Sequence, residues 1–205
     1  NDLELVKNYI NIQQKLNSLD KQNIRFLKTH SSLHEINGYK FTDLNKTLGV
    51  IYVVRDPRTV VKSYANHHQI SLELAADKLF EFTTLTELTK YSGETEGRRI
   101  THVGSWASNY NTWKYFKKFN KYMLVKYEDL LENPEKIFIE ILNFIYMLGK
   151  SKLQIDKKKL KKVIQSTTFE EMQKLEKNQG FPEAVKNADG KNITFFKYGP
   201  KKNNL

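Results

Sequence analysis

Residues 49–63, GVIYVVRDPRTVVKS, constrain this chain more than any other stretch, because a strand runs directly into a helix there. Val50 to Val54 is short, β-branched and uncharged, which suits a strand covered on both faces in a parallel sheet. Asp56 can cap the following helix, and Pro57 stands at the first helical position, where its missing N–H is no loss. The helical pattern continues to His68, with Val60, Val61 and Tyr64 on an apolar side. A helix N-terminus offers free N–H groups and the positive end of a dipole, so it attracts anions. Arg55 lies at its mouth, and Ser63, two turns on, adds a hydroxyl. Two readings stand at this point: a phosphate site, or an Arg55 paired with a carboxylate beside an ordinary helical serine.

Three further segments bear on that choice. Residues 24–29 read as a strand that ends in Lys28-Thr29-His30. A neutral imidazole at a strand's carboxyl end is suited to general-base chemistry, since its pKa lies near working pH; a satisfied loop histidine is the plainer use. Residues 122–127 form a second apolar strand ending at Tyr127-Glu128-Asp129, and Asn133-Pro134 opens a helix over 134–148. Its Ile137, Phe138, Ile141, Leu142, Ile145 and Leu148 make a core stripe. Thr168 and Glu171 have capping-box spacing, so a helix starts there with Phe169 at its entrance. That ring is either a platform for a flat base or a core aromatic.

Together these segments resemble the sulfotransferases that use 3′-phosphoadenosine 5′-phosphosulfate (PAPS). Lys28-Thr29-His30 is similar to the family's Lys-Thr-His segment, which implies His30 as the base. Residues 52–63 resemble the 3′-phosphate-binding segment, which implies that Arg55 and Ser63 hold that phosphate. Tyr127-Glu128-Asp129 resembles the Tyr-Glu-Asp strand end, whose tyrosine lies near the adenine. Thr167-Thr168-Phe169 resembles the Thr-Ser-Phe segment that flanks the same base, and Gly104-Ser105-Trp106 a Gly-Ser-Trp near the acceptor. Phe195-Phe196-Lys197-Tyr198-Gly199 resembles Phe-x-Arg-Lys-Gly, whose basic pair binds the 3′-phosphate. Here Lys197 brings one point charge, Tyr198 none, and Gly199 matches the glycine. The matches run in family order from about Ile24 to Gly199.

Nothing in the chain resembles the family's N-terminal Pro-Lys-Ser-Gly-Thr-Thr-Trp loop. Residues 1–17 read instead as the end of an amphipathic helix, with Leu3, Leu5, Val6, Ile10 and Ile12 as apolar contacts. The expectation is therefore one sulfotransferase domain over 1–205, N-terminally incomplete. It is an α/β fold: a parallel β-sheet flanked by helices on both faces, as in P-loop NTPases. The helices expected after 134–148 lie over 157–166 and 169–178. Ligands of such sheets sit beyond the carboxyl ends of strands, where His30, Arg55 and Tyr127 fall.

The implied reaction is transfer of a sulfuryl group from PAPS to a hydroxyl or amine of a small-molecule or glycan acceptor. The alternative is a non-catalytic nucleotide-binding or interaction module on the same fold. No metal is expected, because His67-His68 lack a third ligand at metal-site spacing. The 205 residues suit one domain with a real core, and the chain holds no cysteine, which is compatible with a reducing, cytoplasmic setting. No apolar run is long enough to span a membrane, so no stable membrane association is expected. The net charge of +11 invites a nucleic-acid reading. Its distribution speaks against one: Lys157-Lys158-Lys159 and Lys161-Lys162 surround Leu160, Val163 and Ile164 as a solvated helix face would, so no nucleic-acid partner is expected. Residues 69–101 read as a helix followed by an exposed loop over 91–99.

Overall fold

The computed structural model describes residues 2–18, 24–90, 96–152, 154–182, 184–187 and 189–199. Residues 91–95 of the expected loop, and the tail from 200, lie outside the described residues. Eight helices are described: α1 Asp2–Ser18, α2 Pro57–His68, α3 Leu72–Phe80, α4 Trp106–Trp113, α5 Tyr127–Glu132, α6 Pro134–Leu148, α7 Lys157–Ser166 and α8 Phe169–Gln179. The strands are β1 Glu35–Ile36, β2 Tyr39–Lys40, β3 Val50–Val54, β4 Thr83–Lys90, β5 Glu96–Gly104 and β6 Tyr122–Lys126, with a 3₁₀ turn at Lys114–Phe119. β3 pairs with β6 as a parallel sheet, whereas β1–β2 and β4–β5 are antiparallel hairpins. The architecture is a mixed α/β fold, as expected.

Local signals account for several boundaries. Asp56 accepts the Arg58 amide and Pro57 opens α2, so the helix begins where its cap dictates. It ends at Gln69, which adopts a left-handed conformation (φ 53°). Asp156 caps α7 through the Lys159 amide, and Thr168 caps α8 through the Glu171 amide. Pro134 starts α6 without a side-chain bond from Asn133.

Four expectations are corrected. Residues 24–29 form no strand: the stretch is irregular, and Phe26 and Leu27 are 69% and 59% exposed. A strand needs a neighbouring backbone, and among the described residues the β3–β6 pair takes no third member. β3 itself is only half covered, with Val53 60% exposed, because a two-stranded sheet buries less than a wide one. Residues 96–99, expected in a loop, instead pair with β4 as the start of β5. The α6 stripe is half-buried, without a single fully buried residue; its main neighbours, α5 and α7, are short and leave part of it uncovered.

The chain resolves into two compact units, residues 1–52 with 78–123 and residues 53–77 with 124–205. In the first, α1 packs on β2, and Val6, Trp113 and Phe116 are buried. Edge-on ring contacts link Tyr9 to Phe41 (5.2 Å) and Phe41 to Trp113 (6.2 Å). Ile12, expected as an apolar contact, is 47% exposed. In the second, α5, α6, α7 and α8 pack in succession, with Ala65, Ala75, Val125 and Leu160 buried. Val163 of α7 is half solvent-exposed beside the lysines, which are themselves exposed.

Candidate functional site

β3 ends at Val54, so Arg55 and Asp56 form the turn into α2. β6 ends at Lys126, and Tyr127, expected as the last strand residue, opens the short helix α5 instead. The two strand ends are joined twice. The Arg55 guanidinium lies over the Tyr127 ring, 4.6 Å from its centroid, and the Asp56 amide donates to Glu128 Oε1 at 2.9 Å.

The backbone donors of the α2 N-terminus are already taken. The Asp56 amide goes to Glu128 and the Arg58 amide to Asp56 Oδ1, while the Thr59 and Val60 amides go to the Asp56 carbonyl. Pro57 has none to give. Two carboxylates therefore supply the negative charge that the helix end attracts. The Arg58 guanidinium closes on Asp56 as well, with Nε at 3.0 and 3.1 Å from its two oxygens. This bonding, above all from Arg58, holds the Asp56 carboxyl down at about 2. Any anion recognised here must be read by side chains, with Arg55 and Ser63 as the candidates; Ser63 is exposed on α2.

The C-terminal segment comes back onto α2 and α8. Glu176 of α8 accepts the Phe195 and Phe196 amides at 2.6 and 2.9 Å, and Gln173 Nε2 donates to the Phe196 carbonyl at 2.8 Å. Lys197 Nζ donates to Asn66 Oδ1 at 2.8 Å, one helical turn beyond Ser63. Asn66 Nδ2 in turn donates to the Thr194 carbonyl at 3.3 Å. His67 meets the Phe195 ring edge-on at 5.9 Å. Gly199 lies against Phe169: a Cβ there would sit 2.9 Å from Cε1 of the ring. Phe169 is half-buried, with the Phe196 ring edge-on at 5.9 Å.

Two expected contacts have local jobs. Thr167 Oγ1 donates to the Val163 carbonyl at 2.9 Å and finishes α7. Thr168 Oγ1 accepts the Glu171 amide at 3.3 Å and begins α8. The capping box is half made, since Glu171 pairs with Lys174 at 2.6 Å.

Arg55, Ser63, Tyr127, Thr167, Thr168, Phe169, Lys197 and Gly199 all belong to the second unit, and His30 to the first. The His30 side chain is exposed, but its backbone is held: Asn109 Nδ2 of α4 donates to its carbonyl at 3.1 Å. The next residues are pinned in turn. Trp113 Nε1 donates to the Ser31 carbonyl, Thr112 Oγ1 accepts the Leu33 amide, and the Ser32 amide and hydroxyl both reach the His102 carbonyl. Asn109 also donates to the Val103 carbonyl at 2.7 Å and accepts the Tyr52 hydroxyl at 2.9 Å. Burial, reinforced by Tyr110, pushes the Tyr52 hydroxyl up to about 12. Sequence reasoning missed Asn66, Asn109 and Glu176, and named Glu128 only within the Tyr-Glu-Asp segment, because their partners lie well away in the chain. Among the described residues, no cluster of three or more His, Cys, Asp or Glu could hold a metal ion, and no helix is long and apolar enough to cross a membrane.

A crystal structure of mouse sulfotransferase SULT7A1 complexed with PAP is similar to this chain, with a TM-score of 0.56 at 17% sequence identity. The similarity covers 93% of this chain and 65% of the mouse one, so the chain spans less than two thirds of that relative, and at this identity the likeness speaks for the fold. The family model of the sulfotransferase domain matches residues 2–203, nearly the whole sequence, and the chain belongs to that family.

Proposed function

We propose that residues 1–205 form a single sulfotransferase domain that moves a sulfuryl group from PAPS to a hydroxyl or amine of a small-molecule or glycan acceptor. The observation that carries this reading is the return of residues 194–199 onto α2 and α8, which sets Lys197 on Asn66, itself one turn from Ser63, and Gly199 on the Phe169 ring. A cation, a hydroxyl and a half-covered aromatic ring suit an adenosine that bears a phosphate. The PAP bound to the mouse relative is the same kind of nucleotide.

On this reading Arg55, Ser63 and Lys197 bind the 3′-phosphate through side chains, since the amides at the start of α2 are already bonded. Phe169 stacks on the adenine, with Thr167 and Thr168 holding the chain entrance and Tyr127 alongside. Gly199 keeps the ring accessible, because any side chain there would crowd it. When bound, PAPS supplies the sulfuryl group. His30 takes the acceptor proton, an effect worth about 10²–10⁴-fold in rate.

Calorimetric titration of adenosine 3′,5′-bisphosphate and adenosine 5′-monophosphate into the chain tests the nucleotide site. A preference for the bisphosphate that disappears in Arg55→Ala supports it; equal affinity for the two in a folded chain overturns it. His30→Ala should then keep bisphosphate binding and lose transfer. If instead the intact chain binds the bisphosphate but transfers to no acceptor in a broad screen, it is a nucleotide-binding module.

A further inference from the structure

The nucleotide reading leaves one cation at the C-terminal side of the site, Lys197, without arginine's rigid fork. A lysine ammonium on a flexible stem gives up rotamer freedom when it is fixed. Something must hold it in place for it to serve as a specific phosphate ligand. Asn66 does so from α2: its Oδ1 accepts Lys197 Nζ at 2.8 Å, and its Nδ2 donates to the Thr194 carbonyl at 3.3 Å. One side chain thus grips both the ammonium and the backbone three residues before it. Glu176 and Gln173 fix the intervening backbone from α8.

The chemistry of the grip is as informative as its place. An amide oxygen orients an ammonium without neutralising it, so Lys197 keeps its full charge for an anion. A carboxylate at 66 would hold the same lysine more tightly, cancel that charge and repel a phosphate. Asn66 also lies one turn from Ser63 on the same helix face, so the held ammonium is delivered to the hydroxyl's side of α2.

We propose that Asn66 is a positioning residue for 3′-phosphate recognition: it presents Lys197 to the phosphate as an oriented, uncompensated cation. The proposal rests on the nucleotide reading above and gives Asn66, through Lys197, a share in the discrimination between 3′-phosphorylated and plain adenosine nucleotides.

The test uses the full chain and the two nucleotides named above, with Asn66→Asp, Asn66→Ala, Lys197→Gln and the Asn66→Asp/Lys197→Gln double variant. Thermal melts establish that each is folded. Asn66→Asp should weaken bisphosphate binding about tenfold, the scale of a charge-assisted hydrogen bond, and leave the monophosphate unchanged. In the Lys197→Gln background the same substitution should cause about threefold loss or less, because no ammonium remains to divert. Asn66→Ala, which adds no charge, should show a smaller bisphosphate-selective loss and serves if the aspartate variant does not fold. A loss shared equally by both nucleotides would overturn the inference as a purely structural effect. Unchanged binding, while Arg55→Ala still abolishes the preference, would overturn it and leave the site standing. An intact chain with no preference would remove both.

Discussion

The side-chain amide of Asn109 donates to the carbonyl oxygen of His30 at 3.1 Å and, from its oxygen, accepts the hydroxyl of Tyr52 at 2.9 Å. A residue at the end of β5, the middle of β3 and an irregular segment are thereby tied to one point on α4, since Val103 shares the same amide. Removing that point takes the acceptor from the half-buried Tyr52 hydroxyl and one hydrogen bond each from the His30 and Val103 carbonyls. Asn109→Ala should therefore destabilise the chain by about 1–3 kcal/mol in chemical denaturation. Tyr52→Phe should cost less, and the two should couple by at least about 0.5 kcal/mol in a double-mutant cycle. Strict additivity would show that the bond contributes nothing.

Tyr122 presents the opposite case. Its hydroxyl is buried with no hydrogen-bond partner among the described residues, and its ring stacks with that of Tyr52, the centroids 6.3 Å apart. An unpartnered buried hydroxyl is a desolvation cost without return, so Tyr122→Phe should raise stability by about 1 kcal/mol. It should also change the alkaline limb. Burial raises the Tyr52 hydroxyl to about 12 and pushes the Tyr122 hydroxyl up further still. In the unfolded chain both ionise near 10. The fold favours their neutral forms, so this contribution is intact below about pH 10 and is lost as pH rises towards 12. Stability followed against pH should fall over that interval, and less steeply in Tyr122→Phe.

At the acid end the relevant group is Asp56. Arg58 holds its carboxyl at about 2, by side-chain and then backbone hydrogen bonds, with the Arg58 and Arg55 charges adding to the effect. A depressed carboxyl stabilises the fold above its unfolded pKa, near 4, and that help is lost as pH falls from there to about 2. Asp56→Asn keeps an oxygen for the Arg58 amide but has no charge to titrate. Its stability should accordingly change less between pH 4 and 2 than that of the parent chain; parallel curves would mean that the Arg58 pairing is screened out in solution.

How much of this was legible depends on how local each signal is. The starts of α2 and α6 follow from adjacent residues, Asp56-Pro57 and Asn133-Pro134, and α7 from lysines spaced around Leu160, Val163 and Ile164. Membership of the sulfotransferase family was legible for the same reason, because its motifs are short and ordered. Pairing was not. Residues 24–29 have strand composition, yet a strand exists only if a neighbour accepts it, and β3 pairs with β6 instead. The β4–β5 hairpin hid in a stretch whose threonines and leucines show no clean alternation. Asn66 and Asn109 carry little local signal, since all of their side-chain partners named above except Val103 lie 131, 128, 79 and 57 residues away. The helix-end anion site was expected from a general rule, and carboxylates of the chain itself fill that role.

Phe169 depends on Thr168 for its place and on Gly199 for its room. Thr168→Ala removes the cap on α8 and should cost about 1 kcal/mol of stability. Gly199→Ala sets a methyl 2.9 Å from the ring, closer than carbon atoms tolerate, so either the ring or the C-terminal segment must move. With Phe169 as the adenine platform proposed above, the glycine variant should weaken adenosine 3′,5′-bisphosphate and adenosine 5′-monophosphate alike, because both carry the adenine. A loss confined to the bisphosphate would mean that the displaced part is the Lys197 segment.

Arg55 and Tyr127 give a final, sharper test, because the guanidinium lies 4.6 Å from the ring centroid. A cation over an aromatic face is worth about 0.5–1 kcal/mol at a partly exposed position. On the proposed reading the contact orients Arg55 before any nucleotide arrives, so part of the ordering cost of binding is met in advance. Tyr127→Phe keeps the face and should bind adenosine 3′,5′-bisphosphate as the parent does. Tyr127→Ala frees the guanidinium and should weaken that binding about two- to fivefold, the range those energies imply. If the ring acts instead through the adenine alone, the alanine variant will weaken the 5′-monophosphate by the same factor. If the loss falls mainly on the bisphosphate, the ring serves the 3′-phosphate through Arg55.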